Sequence, residues 1–252
     1  MGRSDALLEA LDWDTRHFGR RVERTRSAEI SEAALGDALA QARNRGTALV
    51  YHFRSPELPL GPAFLARHGG LRVCSQVRFA KPAEAGPEVT PPAGFRIGLL
   101  AGNETSDALR ALSIAAGEFS RFRLDPRIPD ERFEALYVRW IENSVAGELA
   151  DGVLRVTDPE GREVGFLTVV HRPGHGELGI GALAESTRGR GLGRALFTAA
   201  EREVARAGLA RCEIVTQGEN EAACRLYDKL GYRVVRREDA YHFHLDEERA
   251  LS

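Results

Sequence analysis

The chain reads as an α/β protein in two units, and three observations carry that reading. Runs with apolar residues at every second position recur among segments whose apolar residues follow helical spacing. A loop with three alternating glycines, within Ser186–Phe197, stands directly between one such strand and one such helix. A stretch with four prolines and no periodic apolar pattern, Lys81–Ala93, interrupts the succession.

In chain order, the first unit (residues 1–82) opens with a strand near Val22–Ala28 and a helix from Ser31 to Asn44. A strand at Ala48–Phe53, a helix near Ala63–His68 and a strand at Leu71–Ala80 follow. Residues 83–93 read as a linker. The second unit (94–252) begins with a strand at Phe95–Leu100, helices near Glu104–Phe119 and Asp130–Val145, and strands at Val153–Thr157 and Glu163–His171. Next comes the strand Glu177–Ala184, where alternation puts Leu178, Ile180 and Ala182 on one face and Glu177, Gly179, Gly181 and Leu183 on the other. Its internal glycines mark a bulge or a close backbone approach. After the loop, Leu192, Ala195, Leu196, Ala199 and Val204 follow helical spacing as far as Gly208. A strand at Arg211–Thr216, a helix starting near Asn220 and a strand at Tyr241–Leu245 close the chain.

The 252 residues are enough to bury a core as one domain or two. Their net charge of −2 argues against a nucleic-acid surface. Cys74, Cys212 and Cys224 are odd in number and lack C-x-x-C spacing, so they read as reduced, buried thiols. The first residues carry no apolar signal core, and no apolar run has membrane-spanning length. The expectation is a soluble, cytoplasmic chain with no nucleic-acid or membrane partner. His242 and His244 share one strand face without a carboxylate or cysteine at ligand spacing, so they read as plain strand surface, and no metal is expected.

The loop carries the chemistry. Glycines there let a tight turn aim successive backbone N–H groups at one point, and the following helix adds free donors and its positive dipole end. With Arg188, Arg190 and Arg194 this makes a site for a phosphorylated ligand. A dinucleotide fingerprint would need glycine at 194, which is arginine, and no Gly-Lys-Ser/Thr triplet of a P-loop exists. Downstream, Asn220 and Tyr227 are seven residues apart, two helical turns, and so share a face.

The order Arg-x-x-Gly-x-Gly (Arg188, Gly191, Gly193), followed by Asn-x-x-Ala-x-x-Leu-Tyr-x-x-x-Gly-Tyr from Asn220 to Tyr232, resembles the GNAT superfamily of N-acetyltransferases. The resemblance implies an acyl-CoA N-acyltransferase fold over 94–252, with a mixed, centrally splayed sheet and acetyl-CoA as cosubstrate. It implies cofactor contacts at Leu183 and Ala184 on the splayed strand, at Arg188, Gly189, Arg190, Gly191, Leu192, Gly193 and Arg194 in the loop, and at Asn220. It also implies Tyr227 as general acid toward the CoA sulfur. A phenol with pKa about 10 stays protonated near neutral pH and suits that role.

Three further segments are similar to the bacterial dTDP-fucosamine acetyltransferases: Leu11–Gly19, Ser120–Arg123 (SRFR) and Trp140–Val145 (WIENSV). That similarity implies an amino-sugar nucleotide acceptor, with Arg121 and Arg123 pairing with its diphosphate. Trp13, Phe18 and Trp140 read as core anchors. The base stays open among Glu118, Glu142 and Glu177, because Cys74 and Gln76 occupy the strand where the resembling enzymes place an acid. Another amine acceptor (an aminoglycoside, an amino acid or a protein N-terminus) and a non-catalytic acyl-CoA-binding protein are the competing readings. A homodimer is expected to protect the outer sheet edge.

Overall fold

The computed structural model describes residues 7–84, 86 and 90–246. The first part of the chain forms β1 (Leu8–Ala10), α1 (Asp12–Phe18), β2 (Val22–Thr25), α2 (Glu32–Asn44), β3 (Leu49–Arg54), α3 (Pro62–His68) and β4 (Gly70–Pro82). The rest forms β5 (Arg96–Leu99), α4 (Asp107–Ala116), α5 (Asp130–Val145), β6 (Gly152–Thr157), β7 (Glu163–Arg172) and β8 (His175–Leu183), then α6 (Leu192–Arg206), β9 (Arg211–Gln217), α7 (Glu221–Lys229) and β10 (Arg233–His244).

Among the described residues these strands make one mixed sheet of ten, in the order β1-β2-β3-β10-β4-β9-β8-β7-β6-β5. The two units drawn from the sequence interleave in it. β4, from the first, lies between β10 and β9 of the second, antiparallel to both. β3 flanks β10 on its other side. The proline-rich stretch is therefore not a division of the sheet. Lys81, at the end of β4, reaches Glu201 of α6 at 2.8 Å, and Glu201 also accepts from the Tyr232 hydroxyl at 2.9 Å.

The helices cover both faces. α1, α4 and α5 pack on one, where Phe133, Leu136, Tyr137, Trp140 and Ile141 supply the apolar stripe of α5. On the other face α2 and α3 cover Val50, Tyr241 and Phe243, while α6 and α7 cover Val77, Leu178 and Ile214. Serine caps fix two starts: Ser31 accepts from the Ala34 amide at 3.2 Å, and Ser106 from that of Leu109 at 3.1 Å. The outer strands β1 and β5 are short, which leaves little unpaired edge. Among the described residues no helix is long and apolar enough to cross a membrane.

Three elements differ from the expectation, and the first is β1, a short strand ahead of the first one expected. α1 is a helix that its seven residues were too few to announce as a period, closed by Gly19 at φ +66°. The last strand begins at Arg233, not Tyr241, because its first half is charged and exposed and carries no apolar alternation.

Candidate active site

The strand before the glycine loop breaks the simple alternation. Val169 stands opposite Leu178 and Leu167 opposite Gly181, so β8 holds one extra residue in a bulge. That residue reverses the faces: Leu178 and Leu183 join the core under α6 and α7, whereas Ile180 and Ala182 join the core under α4 and α5. The expectation that Leu178 shares a face with Ile180 and Ala182 is overturned for this reason. The glycines provide room. A Cβ on Gly179 would stand 2.5 Å from the Thr168 hydroxyl oxygen, and one on Gly181 would stand 2.9 Å from the Phe166 carbonyl oxygen.

Just past the paired stretch β8 leaves β9. Their parallel pairing is confined to Gly176–Leu178 against Cys212–Ile214. Beyond it a cleft of about 970 Å³ opens, walled by the two strands. The Ala184 amide donates to the Val164 carbonyl at 2.8 Å. Hydrogen-bonding direction alternates along an antiparallel strand, so the amides of Leu183 and Gly181 face away from β7 and into the cleft. Leu183 is thus placed as a backbone donor. Ala184 is not: its N–H is spent on Val164 and its carbonyl accepts from Thr187.

At the mouth the loop turns through Gly189 at φ +77° and Gly191 at φ +83°. The Ala195 amide makes the first helical bond to the Gly191 carbonyl, so the N–H groups of Leu192, Gly193 and Arg194 precede the intrahelical ladder of α6. Those amides, with the helix dipole, form an anion seat. Arg188 and Gly193 line the cleft, Arg190 and Arg194 are exposed beside it, and the Leu192 side chain is buried in the core. Arg188 pairs with exposed Glu185 at 3.2 Å, a contact that costs little to exchange for a ligand.

α7 supplies the opposite wall. The Asn220 side-chain oxygen caps the helix by accepting from the Ala223 amide at 3.1 Å, which leaves its NH2 group for a ligand. Two turns on, Tyr227 also lines the cleft, only 8% exposed, with its ring against Phe197 and Phe79 at 5.3 and 5.5 Å between centroids. Among the described residues its hydroxyl has no hydrogen-bond partner. Burial pushes the phenol well above its ordinary range, so it stands protonated.

A second arm of the cleft is lined by Arg121, Tyr51, Phe53, Tyr137, Trp140 and Asp14. Arg123 does not reach it. It is exposed, does not line the cleft and pairs with Asp130, so the sequence expectation for this residue is corrected. Trp13 and Phe18 sit in the core with Trp140, whose ring lies 6.3 Å from Trp13 while also facing the cleft. Of the acids, Glu118 and Glu177 line the cleft, as does Gln76. Glu142 lies outside and pairs with Arg110 at 2.8 Å. Burial pushes the Cys74 thiol up to about 12, which removes it as a base. Glu219 and Asp14 also line the cleft and were not foreseen.

The histidines of β10 are not strand surface. His242 is fully buried, with Nδ1 2.7 Å from Oδ2 of Asp125, and His244 Nε2 meets the same oxygen at 2.7 Å. The missing carboxylate comes from the loop after α4, a tertiary contact that no local spacing reveals. Burial works to raise the Asp125 carboxyl, but the two histidine hydrogen bonds outweigh it and hold the group far below the usual carboxylate range. Burial lowers His242 to about 4. The three donor atoms lie within 4.8 Å of one another, a spacing a divalent ion can use. Here Arg127 donates to the other Asp125 oxygen and Arg121 stands 3.4 Å from His242, so two guanidiniums oppose a further cation.

Residues 118–232 match the sequence profile of the GNAT acetyltransferase family. The match covers a little under half of the chain. The splayed strands, the glycine loop and Tyr227 all fall inside it. Solved structures repeat the GNAT fold over nearly the whole chain. The GCN5-related N-acetyltransferase from Sphaerobacter thermophilus superposes with a TM-score of 0.60 at 18% identity, covering 94% of this chain and 76% of that one. A tandem GNAT protein from the clavulanic acid biosynthesis pathway gives 0.58 at 18% identity, covering 90% and 76%.

Curated relatives include the mycothiol acetyltransferase of Tsukamurella paurometabola, 29% identical over 71% of this chain and 62% of that protein. That of Nocardiopsis dassonvillei is 26% identical over 92% and 67%. The chain spans about three-fifths of the length of the first of these relatives. Both relatives are named mycothiol acetyltransferases, so the narrower resemblance to dTDP-fucosamine acetyltransferases finds no support among them.

Proposed function

We propose that the protein transfers the acetyl group of acetyl-CoA to the amine of a small-molecule acceptor, in the cytoplasm and by direct attack in a ternary complex. The observation that carries this reading is the convergence of three donor sets on one cleft: the amides opening α6, the inward amides of Gly181 and Leu183, and the Tyr227 hydroxyl. The first set takes the diphosphate of the cosubstrate, with Arg188 beside it. The second collects the oxyanion formed when the amine attacks the thioester, since fixed dipoles cost no reorganisation. Tyr227, protonated and without a hydrogen-bond partner among the described residues, gives a proton or a hydrogen bond to the departing thiolate. Of the carboxylates along the cleft, Glu185 and Glu221 pair with Arg188 and Arg225, and the base is drawn from Glu118, Glu177, Glu219 and Asp14.

For the acceptor, the nucleotide amino-sugar reading keeps one support, Arg121 at the second arm, and loses Arg123. A mycothiol-type acceptor is the second reading, favoured by the names of the relatives. The deciding experiment follows CoA thiol release from acetyl-CoA with nucleotide amino sugars, mycothiol-type amines, aminoglycosides, amino acids and peptides. Turnover with one small-molecule class supports acetyl transfer and selects the acceptor. Tight acetyl-CoA binding with no release for any amine overturns it in favour of an acyl-CoA-binding protein.

A further inference from the structure

Arg121 belongs to the loop between α4 and α5, and its guanidinium is held on three sides. Its carbon lies 3.9 Å from the ring centre of Tyr51 and 4.1 Å from that of Phe122. On the third side Nη1 lies 3.4 Å from Nε2 of His242. The network assigns the tautomer. His242 Nδ1 faces the Asp125 carboxylate and carries the proton, so Nε2 presents a lone pair to Arg121. The Asp125 charge is already met by Arg127 and both histidines. Arg121 therefore has a neutral acceptor behind it, and among the described residues it makes no salt bridge with a carboxylate.

Asp14 is linked to Arg121 through the Tyr51 hydroxyl and makes no direct ion pair with it. Asp14 accepts from the Tyr51 hydroxyl at 3.1 Å, and Arg24 is paired with Glu9. A half-buried cation held against two rings without a contacting carboxylate is costly unless a ligand supplies one. A guanidinium fixed in plane also suits bidentate capture of an oxyanion.

We propose that Arg121 anchors an anionic group, a phosphate or a carboxylate, on the acceptor, and that His242 and Asp125 are positioning residues that aim it. This inference rests on the second arm being the acceptor arm of an acetyltransferase. The chemistry it selects is an amine that carries an acid, in preference to a neutral amine of the same size. The corner made by the two rings, which stand at 81° to each other, lets the guanidinium be partly desolvated without moving, so the anion meets a preformed partner.

The test uses the full chain and matched acceptor pairs: glucosamine 6-phosphate against glucosamine, and glycine against glycinamide. The expected result is a kcat/KM at least about tenfold higher for the anionic member of one pair, the size of one charge-assisted contact. Which pair shows it distinguishes phosphate from carboxylate. In Arg121→Leu that ratio falls towards one, and in Arg121→Lys it is partly kept. Asp125→Asn and His242→Phe raise KM for the anionic acceptor with less effect on kcat or on the KM for acetyl-CoA, and His242→Gln, which keeps an acceptor towards Arg121, restores part of the loss. Equal kcat/KM within both pairs, or equal loss for both members in Arg121→Leu, overturns the proposal. If no amine is acetylated, titration of CoA-saturated protein with inorganic pyrophosphate and with succinate separates the two ideas. Binding abolished by Arg121→Leu upholds the anion anchor while the acetyltransfer reading fails; no binding, or binding indifferent to Arg121, overturns the anchor itself. Should the His242 variants fail to fold, the Arg121 pair carries the test alone.

Discussion

The amide of Ala184 donates to the carbonyl of Val164 at 2.8 Å, and this one bond sets which amides of β8 face the cleft. Because direction alternates, Leu183 and Gly181 turn away from β7 and towards the gap left by β9. The bulge between Leu178 and Gly181 makes that gap possible by letting β8 bend away after three paired residues. Gly181→Val should therefore damage the site specifically. Its Cβ would press on the Phe166 carbonyl at 2.9 Å and on the Leu167 side chain at 2.7 Å, so β8 must shift. The expected outcome is a rise in KM for acetyl-CoA of at least about tenfold with a stability loss of about 1–3 kcal/mol, the usual cost of overpacking. Steady-state kinetics and a denaturant melt check both.

Tyr227→Phe removes only the hydroxyl. The ring keeps its contacts with Phe79 and Phe197, and no described hydrogen bond is lost. The expected result is a kcat lowered by about 10²-fold, at the lower end of general-acid effects, with acetyl-CoA affinity nearly unchanged. A weakened CoA dissociation constant with kcat intact would move Tyr227 from chemistry to binding.

Gly191→Asp combines two penalties at one position. Gly191 sits at φ +83° ahead of α6, where a side chain is strained, and an added carboxylate would face the anion that the α6 amides receive. Acetyl-CoA affinity should fall by at least about a hundredfold while the melting temperature moves by only a few degrees. Titration by calorimetry reads the first, and unchanged affinity counts against the loop as the diphosphate seat.

Much of this was legible locally, and the exceptions share a cause. The loop from Arg188 to Gly193 and the Asn220–Tyr227 helix face announce themselves because each is a short motif whose residues act through local geometry. α5 matches its expected limits, Asp130 and Val145, because five apolar residues keep helical spacing. The face of Leu178 was misassigned because one bulged residue reverses parity without any trace in composition. His242 and His244 were misread because their carboxylate, Asp125, lies on another segment and reaches them only in the folded chain. Arg121 and Arg123 look alike in sequence, yet the short-range pairing of Arg123 with Asp130 draws it outward.

Acid should weaken the fold through two buried histidines. His242 and His52 are both fully buried, and burial lowers each to about 4 from an ordinary value of 6.5. Between those values the unfolded chain takes up protons that the native chain refuses, so stability falls as pH drops through that window. Each histidine contributes about 1.4 kcal/mol per pH unit there. Asp125 works in the same direction only at lower pH, because its folded value is depressed below the ordinary 3.8. The expected outcome is a lower melting temperature at pH 5 than at pH 7, with a shallower slope in His52→Gln, whose loss costs the bond to Thr25 but removes one titrating group. A melting temperature flat across this range would mean that neither histidine is held neutral.

The last prediction concerns the boundary at 83–93. If the residues after it formed an autonomous unit, 94–252 alone would fold. In the sheet, however, β4 lies between β10 and β9, antiparallel to both, and its removal leaves two long rows of backbone N–H and C=O groups without partners. It would also strip Lys81 from Glu201, leaving a carboxylate only 6% exposed with the Tyr232 hydroxyl as its remaining side-chain donor. Breaking one partner from such a buried pair costs about 3–5 kcal/mol, a large share of a domain's stability. Residues 94–252 expressed alone should therefore aggregate or melt without cooperativity, and coexpression with 1–82 should restore a soluble complex that binds acetyl-CoA. Calorimetry and size-exclusion chromatography of the two preparations decide the matter: a cooperative melt from 94–252 alone would show that β9 and β10 can close the sheet without β4.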